Sequence, residues 1–110
     1  MSETLTLDEL TAPLRALRLL LADFGHLPAP TASVSPIFPG RLELSLHSGL
    51  PDFEAWREAL AVAPEDVTYR VQSNGHTRVL RTLAAYAGAE LELVGYGDVD
   101  APVLVEAGAA

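Results

Sequence analysis

The three histidines are the side chains best suited to bind a metal ion, but their spacing does not indicate a shared site. His26 follows a predicted helix, His47 lies on a predicted strand, and His76 lies beside a predicted hairpin turn. No two of them have the HxH or HxxxH spacing that places two imidazoles on one side of a strand or a helix. The sequence therefore predicts three surface histidines and no metal centre.

Nucleophilic catalysis is the second chemistry that the residue types suggest. Ser45, His47 and Asp52 supply the side chains of a serine triad, but no nucleophile elbow or oxyanion motif accompanies them. The chain has no cysteine and no lysine, which excludes cysteine nucleophiles, thiolate zinc sites, lysine Schiff bases and P-loop lysines. We predict no catalytic residue and no cofactor, and we expect that the protein is not an enzyme.

Two pairs of carboxylates have spacings that would suit acid–base catalysis. Glu90 and Glu92 alternate on one predicted strand, and Glu54 and Glu58 are one turn apart on a predicted helix. Both patterns are also typical of surfaces that face solvent. We predict that these four carboxylates, together with Arg57 on the same helix, point to water.

The chain is strongly acidic. Its 110 residues carry fifteen acidic side chains against seven arginines, a net charge of −8. A protein of that charge repels nucleic-acid phosphates and anionic lipid, so we expect neither nucleic acid nor a membrane as a partner. The first residues lack a secretion-signal pattern, so we expect a cytoplasmic protein. Abundant leucine and alanine without lysine are typical of a GC-rich, bacterial genome.

Two amphipathic helices are predicted. The first begins at a capping box on Thr6 and kinks, or restarts at Thr11, because Pro13 is tolerated only at a kink or in a first turn. Its apolar residues recur at helical spacing and comprise Leu10, Leu14, Leu17, Leu21 and Phe24. The second opens at 50–52 with proline and an acid, and its core stripe is Phe53, Trp56 and Leu60.

Alternating side chains predict four strands. Residues 31–38 predict an edge strand because Pro36 cannot donate to a ladder, and Pro39-Gly40 predicts the turn that follows. Apolar and polar side chains then alternate along 41–47, 67–72 and 89–96. Asn74-Gly75 predicts a hairpin turn after the third of these strands.

Residues 77–87 allow either a helix or a fifth strand. As a strand, they pair Leu80 with Tyr69 across Asn74-Gly75, and Ala84 with Leu91 across a turn at Ala87-Gly88. Both turns place one set of apolar side chains on the same face, which favours the strand.

We therefore predict a two-layer α+β domain over residues 1–100. Its elements follow the order α-β-β-α-β-β-β, with an antiparallel sheet of about five strands and two helices packed on one face. Residues 101–110 are expected to be a partly disordered C-terminal extension.

The open face of the predicted sheet is the candidate functional surface. Strand alternation places apolar side chains there beside two arginines. An apolar strip on a sheet face that should contact water indicates self-association or a partner site, unless residues 102–105 cover it. The predicted partner-binding residues are Arg70, Val79, Arg81, Leu83 and Ala85.

Three function hypotheses follow from these features. The first is a non-enzymatic accessory or regulatory domain that binds another protein or forms a homodimer through this face. The second is a small-ligand-binding protein or an enzyme, with a pocket between helices and sheet that uses Tyr69, His47 or Glu43. The third is an acidic inhibitor that mimics nucleic acid, which requires the carboxylates to form a continuous stripe.

Overall fold

Two helices and five strands form a two-layer α+β arrangement in the computed structural model, which describes residues 4–72 and 75–98. Short 3-10 turns occur at Leu7–Leu10 and Pro64–Asp66. The predicted element order is confirmed, and the extension predicted for 101–110 lies outside the described residues. The elements in chain order are α1 (Thr11–Phe24), β1 (Thr31–Ser35), β2 (Phe38–Leu46), α2 (Leu50–Ala59), β3 (Thr68–Val71), β4 (Thr77–Tyr86) and β5 (Ala89–Asp98).

The strands form one mixed sheet in the order β1-β2-β5-β4-β3. β1 with β2, β3 with β4, and β4 with β5 pair antiparallel, but the central strands β2 and β5 are parallel. The prediction of an antiparallel sheet is therefore wrong at that central pair. The chain between β2 and β5 includes α2 and the β3–β4 hairpin, and a connection of that length lets β5 run alongside β2 in the same direction.

Residues 77–87 form a strand and its turn, which confirms the strand interpretation. Leu80 pairs with Tyr69, and Ala84 pairs with Leu91, in the predicted register. Ala87 and Gly88 form the connecting turn, and both have positive φ angles (53° and 82°), as a type I′ turn requires. This turn decides which side chains of β4 and β5 face the helices, because a slip of one residue would exchange the faces.

Helix α1 begins at Thr11, and its buried face differs from the predicted stripe. The Thr11 hydroxyl donates to the carbonyl of Asp8, and Pro13 lies in the first turn. The buried residues are Pro13, Ala16 and Leu20, whereas Leu21 is 73% exposed, so its assignment to the core is wrong. The compact Pro13 and Ala16 side chains allow the helix to lie close to the sheet, which turns Leu20 inward and Leu21 outward.

The turn between β1 and β2 lies at Pro36 and Ile37, so its prediction at Pro39-Gly40 is wrong. Ser35 pairs with Phe38, and the Ile37 N–H donates to the Ser35 hydroxyl at 3.0 Å. The register shifts next to Ser35, which leaves Pro39 and Gly40 in an unpaired stretch at the start of β2. The missing N–H of a proline breaks no ladder bond there. β1 is an edge strand, as predicted.

Both helices pack on the same side of β2 and β5 and enclose the core. Trp56 is buried as predicted, and its indole N–H donates to the carbonyl of Pro28 at 2.8 Å. Helix α2 lies close to β5 because glycines face it: a Cβ on Gly95 would lie 2.7 Å from Phe53. The core residues are Ala16, Leu20, Leu42, Leu44, Leu46, Phe53, Trp56, Ala89, Leu91 and Leu93.

Arg57 is buried, which corrects the prediction that it points to water. Only 9% of the residue is exposed. Its guanidinium donates two hydrogen bonds to the Glu54 carboxylate, at 2.9 and 2.8 Å, and one to the Val62 carbonyl at 2.6 Å. The chain turns after α2 through Ala61, where φ is 60°, and this turn brings the Val62 carbonyl back to the arginine. Glu54 and Glu58 are exposed, as predicted.

Candidate interaction surface

The open face is the side of the sheet opposite α1 and α2. Strand alternation turns the leucines of β2 and β5 toward the helices and the intervening side chains toward this face. All five residues predicted to bind a partner lie on it. Its residues include Arg41, Glu43 and Ser45 on β2, Thr68 and Arg70 on β3, Val79, Arg81, Leu83 and Ala85 on β4, and Glu90, Glu92, Val94, Tyr96 and Asp98 on β5.

The predicted apolar strip is only partly accessible. Leu83 is 41% exposed and Ala85 is also exposed. Val79 is only 5% exposed, because it lies between its register partners Arg70 and Tyr96. Leu83 and Ala85 therefore supply the accessible apolar area, and Val79 lies beneath its neighbours.

A network of ion pairs crosses one half of the open face. Arg41 contacts the Glu90 carboxylate at 2.9 Å and the Glu92 carboxylate at 3.6 Å. Arg81 donates from Nε to the other oxygen of Glu92. Glu92 thus lies between two guanidinium groups, which neutralise it within the chain. Its pairing across strands with arginine is the arrangement that stabilises neighbouring strands.

Glu43 and Arg70 lie outside this network. The Glu43 carboxylate accepts a hydrogen bond from the Ser33 hydroxyl at 3.2 Å and contacts no arginine within residues 4–72 and 75–98. In that part of the chain the Arg70 side chain has no hydrogen bond or ion pair, and the residue is exposed. At these two positions the open face therefore presents a negative and a positive side chain that its own arginines and carboxylates do not neutralise.

Glu43 and Arg70 line the same groove. Its cavity volume is about 270 Å³, and its lining also includes Val79, Val94 and Tyr96. Tyr96 stacks on His47, with ring centroids 4.7 Å apart and an angle of 6° between the ring planes. The groove thus combines apolar and aromatic lining with opposite charges on separate strands.

In residues 4–72 and 75–98, the side chains named in the ligand-binding hypothesis line no pocket between helices and sheet. Glu43 lies on the open face, and His47 stacks there on Tyr96. The Tyr69 side chain lies on the opposite face of edge strand β3, where it is 54% exposed and contacts the Arg78 guanidinium. Residues Tyr69 and Glu43 both line the groove of the open face, and His47 reaches it through Tyr96, so these residues lie at that groove and not between helices and sheet.

An apolar groove lies instead between α1, the connector after it, and α2. Its cavity volume is about 200 Å³, and no charged side chain lines it. Sequence reasoning missed this groove, although residues 19–22 are all apolar and so exceed what one helix face can bury. The lining residues are Leu17, Leu20, Leu21, Phe24, Gly25, Leu27, Ala29, Pro30, Leu44 and Trp56.

Charge is distributed unevenly between the two layers. In the described residues, the helices and their connectors carry eight carboxylates against the arginines at 15, 18 and 57, and Arg78 lies on the same side of the sheet. The open face carries four carboxylates, including Asp98, against the arginines at 41, 70 and 81. The open face is therefore nearly neutral, whereas the helical layer is clearly negative.

Three groups have shifted pKa values, and all three lie away from the open face. Burial, followed by a hydrogen bond from its hydroxyl to Asp23 at 2.6 Å, raises the pKa of Tyr86 to about 12. The hydrogen bond from Arg57 lowers the pKa of Glu54, and the same bond raises the pKa of Arg57. The Tyr86–Asp23 and Arg57–Glu54 contacts are structural, since none of these four side chains lines either groove described above.

Searches of the described part of the chain found neither a metal-binding cluster of three or more side chains nor a helix long and apolar enough to cross a membrane. The comparisons with known proteins add no relative from which a function could be inferred. No protein-family model, no curated protein and no solved structure matches this chain.

Proposed function

We propose that this protein is a non-enzymatic accessory or regulatory domain of the bacterial cytoplasm that acts by binding, and that its open sheet face binds a second copy of the chain. The proposal commits to the protein itself as the first partner. The nearly neutral charge of the open face is the single observation that carries it.

Electrostatic repulsion disfavours most ways of bringing two copies together. Each copy carries a net charge of −8, so the negative helical layers repel one another. The open face has almost as many arginines as carboxylates, and two such faces can approach with much less repulsion. Charge thus favours association through the open face.

The accessible side chains of the open face also suit an interface. Leu83 and Ala85 offer apolar area on β4, next to the partly exposed Arg81. Protein interfaces typically combine an apolar centre with arginine and tyrosine at and around it. Arg70, Arg81 and Tyr96 supply those residue types.

Light scattering over a range of protein concentrations tests this proposal. We expect a mass that rises toward twice the 11.7 kDa of one chain. Leu83→Glu places an unpaired carboxylate in the interface and should hold the mass at one chain. Leu21→Glu is the matched control, because Leu21 is an exposed leucine of the helical layer, and it should behave like the wild type. A wild-type protein that stays monomeric, or equal effects of the two substitutions, would refute the proposal.

Binding of a small apolar ligand is a second candidate function, favoured by the groove beside α1. An apolar cavity of about 150 Å³ can bind benzene, so a volume of about 200 Å³ is sufficient for a ligand of that class. Trp56 lines the groove and is the only tryptophan, so its fluorescence reports occupancy. Titration with toluene should change the emission of the wild type but not of Leu21→Glu. An unchanged wild-type emission would exclude this function.

A further inference from the structure

We propose that Arg70 of one copy binds Glu43 of the other, and the reverse, across a two-fold axis that lies between the two open faces. This inference rests on the proposed self-association and assigns the residues that fix its geometry. It makes the open face complementary to itself, as a two-fold interface must be.

The unsatisfied charges of the open face carry this inference. Arg41 and Arg81 are held by Glu90 and Glu92 within the chain. In the described residues Arg70 has no such partner, and Glu43 has only the Ser33 hydroxyl. A free guanidinium and a free carboxylate on one surface are complementary to the same pair on a second copy.

Arg70 and Glu43 are too far apart to pair within one chain. They lie on β3 and β2, with β4 and β5 between them. Three strand spacings of ~4.8 Å, together with a register offset of four residues along the strands, separate the two backbones by roughly 20 Å. The same separation suits a pair of contacts between copies, since one contact can form on each side of a central axis.

The register places the centre of this arrangement between β4 and β5. The midpoint between Glu43 and Arg70 falls near Val94 and Arg81, which are paired with each other. Val94 is 5% exposed, and the Arg81 guanidinium beside it is paired with Glu92, which neutralises its charge at that point. Leu83 lies two residues from Arg81 on the same strand, close enough to the axis to contact the second copy.

A charge-reversal cycle tests the pairing. The dimer dissociation constant is measured by sedimentation equilibrium for the wild type, Arg70→Glu, Glu43→Arg and the double variant. Each single charge-reversal variant places two like charges opposite one another, and this happens twice per dimer. We therefore expect the dissociation constant of the dimer to rise about tenfold or more. The double variant restores opposite charges and should return to within about threefold of the wild type.

Two further variants test the specificity of the contact. Arg18→Glu reverses an exposed arginine of α1 and should leave the dissociation constant unchanged. Asp98→Arg adds a cation to the open face at its other unpaired carboxylate and should not rescue Arg70→Glu. Circular dichroism and thermal unfolding confirm that each variant is folded.

The outcomes separate this inference from the proposed function. A monomeric wild type would overturn both. A wild-type dimer that is insensitive to the single reversals, or a double variant no tighter than either single one, would overturn the Arg70–Glu43 pairing and leave self-association standing. Rescue of Arg70→Glu by Asp98→Arg would assign Arg70 a different partner and also overturn the pairing.

Discussion

The two faces of the sheet are built from the same strands but are specified by different physical forces. On the covered face, Leu42, Leu44 and Leu91 are completely buried beneath the helices. One residue further along the same strands, Glu43 and Glu92 reach the open face. Close packing of apolar side chains determines the arrangement of the covered face. Ion pairs between arginines and carboxylates determine the arrangement of the open face.

This difference predicts that substitutions on the two faces change different measured quantities. A substitution on the covered face should change the free energy of unfolding, since it removes or crowds packed atoms. A substitution on the open face should leave unfolding nearly unchanged, since surface ion pairs contribute little. Its effect should instead appear in association between copies.

Matched phenylalanine substitutions should show the largest contrast between the faces. Phe53 is fully buried between α2 and the sheet. Phe38 is 53% exposed, lines a groove of the open face with Glu43, and contacts the Arg41 guanidinium. Phe53→Ala should lower the free energy of unfolding by about 3–5 kcal/mol, and Phe38→Ala by less than about 1 kcal/mol. Urea denaturation of the two variants measures this, and equal losses would refute the difference between the faces.

Matched glycine substitutions should give the next largest effect. A Cβ on Gly95 would lie 2.7 Å from Phe53, while a Cβ on Gly40 meets no atom within 4 Å. Gly95→Ala should therefore lower the free energy of unfolding by about 1–3 kcal/mol through overcrowding, and Gly40→Ala should leave it nearly unchanged. Denaturation midpoints give the comparison; a harmless Gly95→Ala would show that α2 does not depend on this close approach.

A substitution in the turn at Ala87-Gly88, which decides which side chains of β4 and β5 face the helices, should stabilise the protein. Ala87 has a φ of 53°, a conformation that costs an alanine more than an asparagine. Ala87→Asn should raise the free energy of unfolding by about 0.5–1 kcal/mol, measured by thermal and urea denaturation. Gly88→Ala serves as the opposite control, because its φ of 82° should make that variant less stable. Stabilisation by both substitutions would contradict the type I′ turn.

The smallest effect is expected from the tyrosine on the covered side, and it appears only at alkaline pH. The folded pKa of Tyr86 is about 12, above the ordinary value of 10.0. The contribution of Tyr86 is therefore fully present below pH 10 and is lost as the pH rises through 12. An absorbance titration should show one of the three tyrosines ionising near pH 12, and Tyr86→Phe should remove that step. The same step in Tyr86→Phe would assign it to another tyrosine.

Local patterns predicted the elements and the open-face placement, whereas long-range features needed the structure. The turn signals of Asn74-Gly75 and Ala87-Gly88 in the sequence predicted one register, so the strand at 77–86 and the side of Leu83 followed from alternation. The parallel pairing of β2 with β5 did not follow from the sequence. The turn and alternation signals of each hairpin are the same whether β2 and β5 pair parallel or antiparallel. Helical periodicity likewise could not choose between the adjacent Leu20 and Leu21, which the compact Pro13 and Ala16 decide.

In the candidate site, too, local patterns predicted the face on which a side chain lies but not its contacts. Strand alternation placed Arg70 and Arg81 on one face, but it could not show that Arg81 is held by Glu92 while Arg70 is free. That difference depends on distances across β4 and β5. The burial of Val79 was also not predictable, because it depends on neighbouring strands.

Distances between spin labels in the dimer test the central claim most directly. The chain has no cysteine, so Ala85→Cys on the open face and Ala22→Cys on α1 each give a single labelling site. Sheets packed face to face lie ~10 Å apart and each helical layer adds about 10 Å, so labels at Ala22 should be roughly 30 Å apart or more. Double electron–electron resonance should find the Ala85 labels closer together than the Ala22 labels. The reverse order, or no dipolar coupling for Ala85, would contradict an interface formed by the open face.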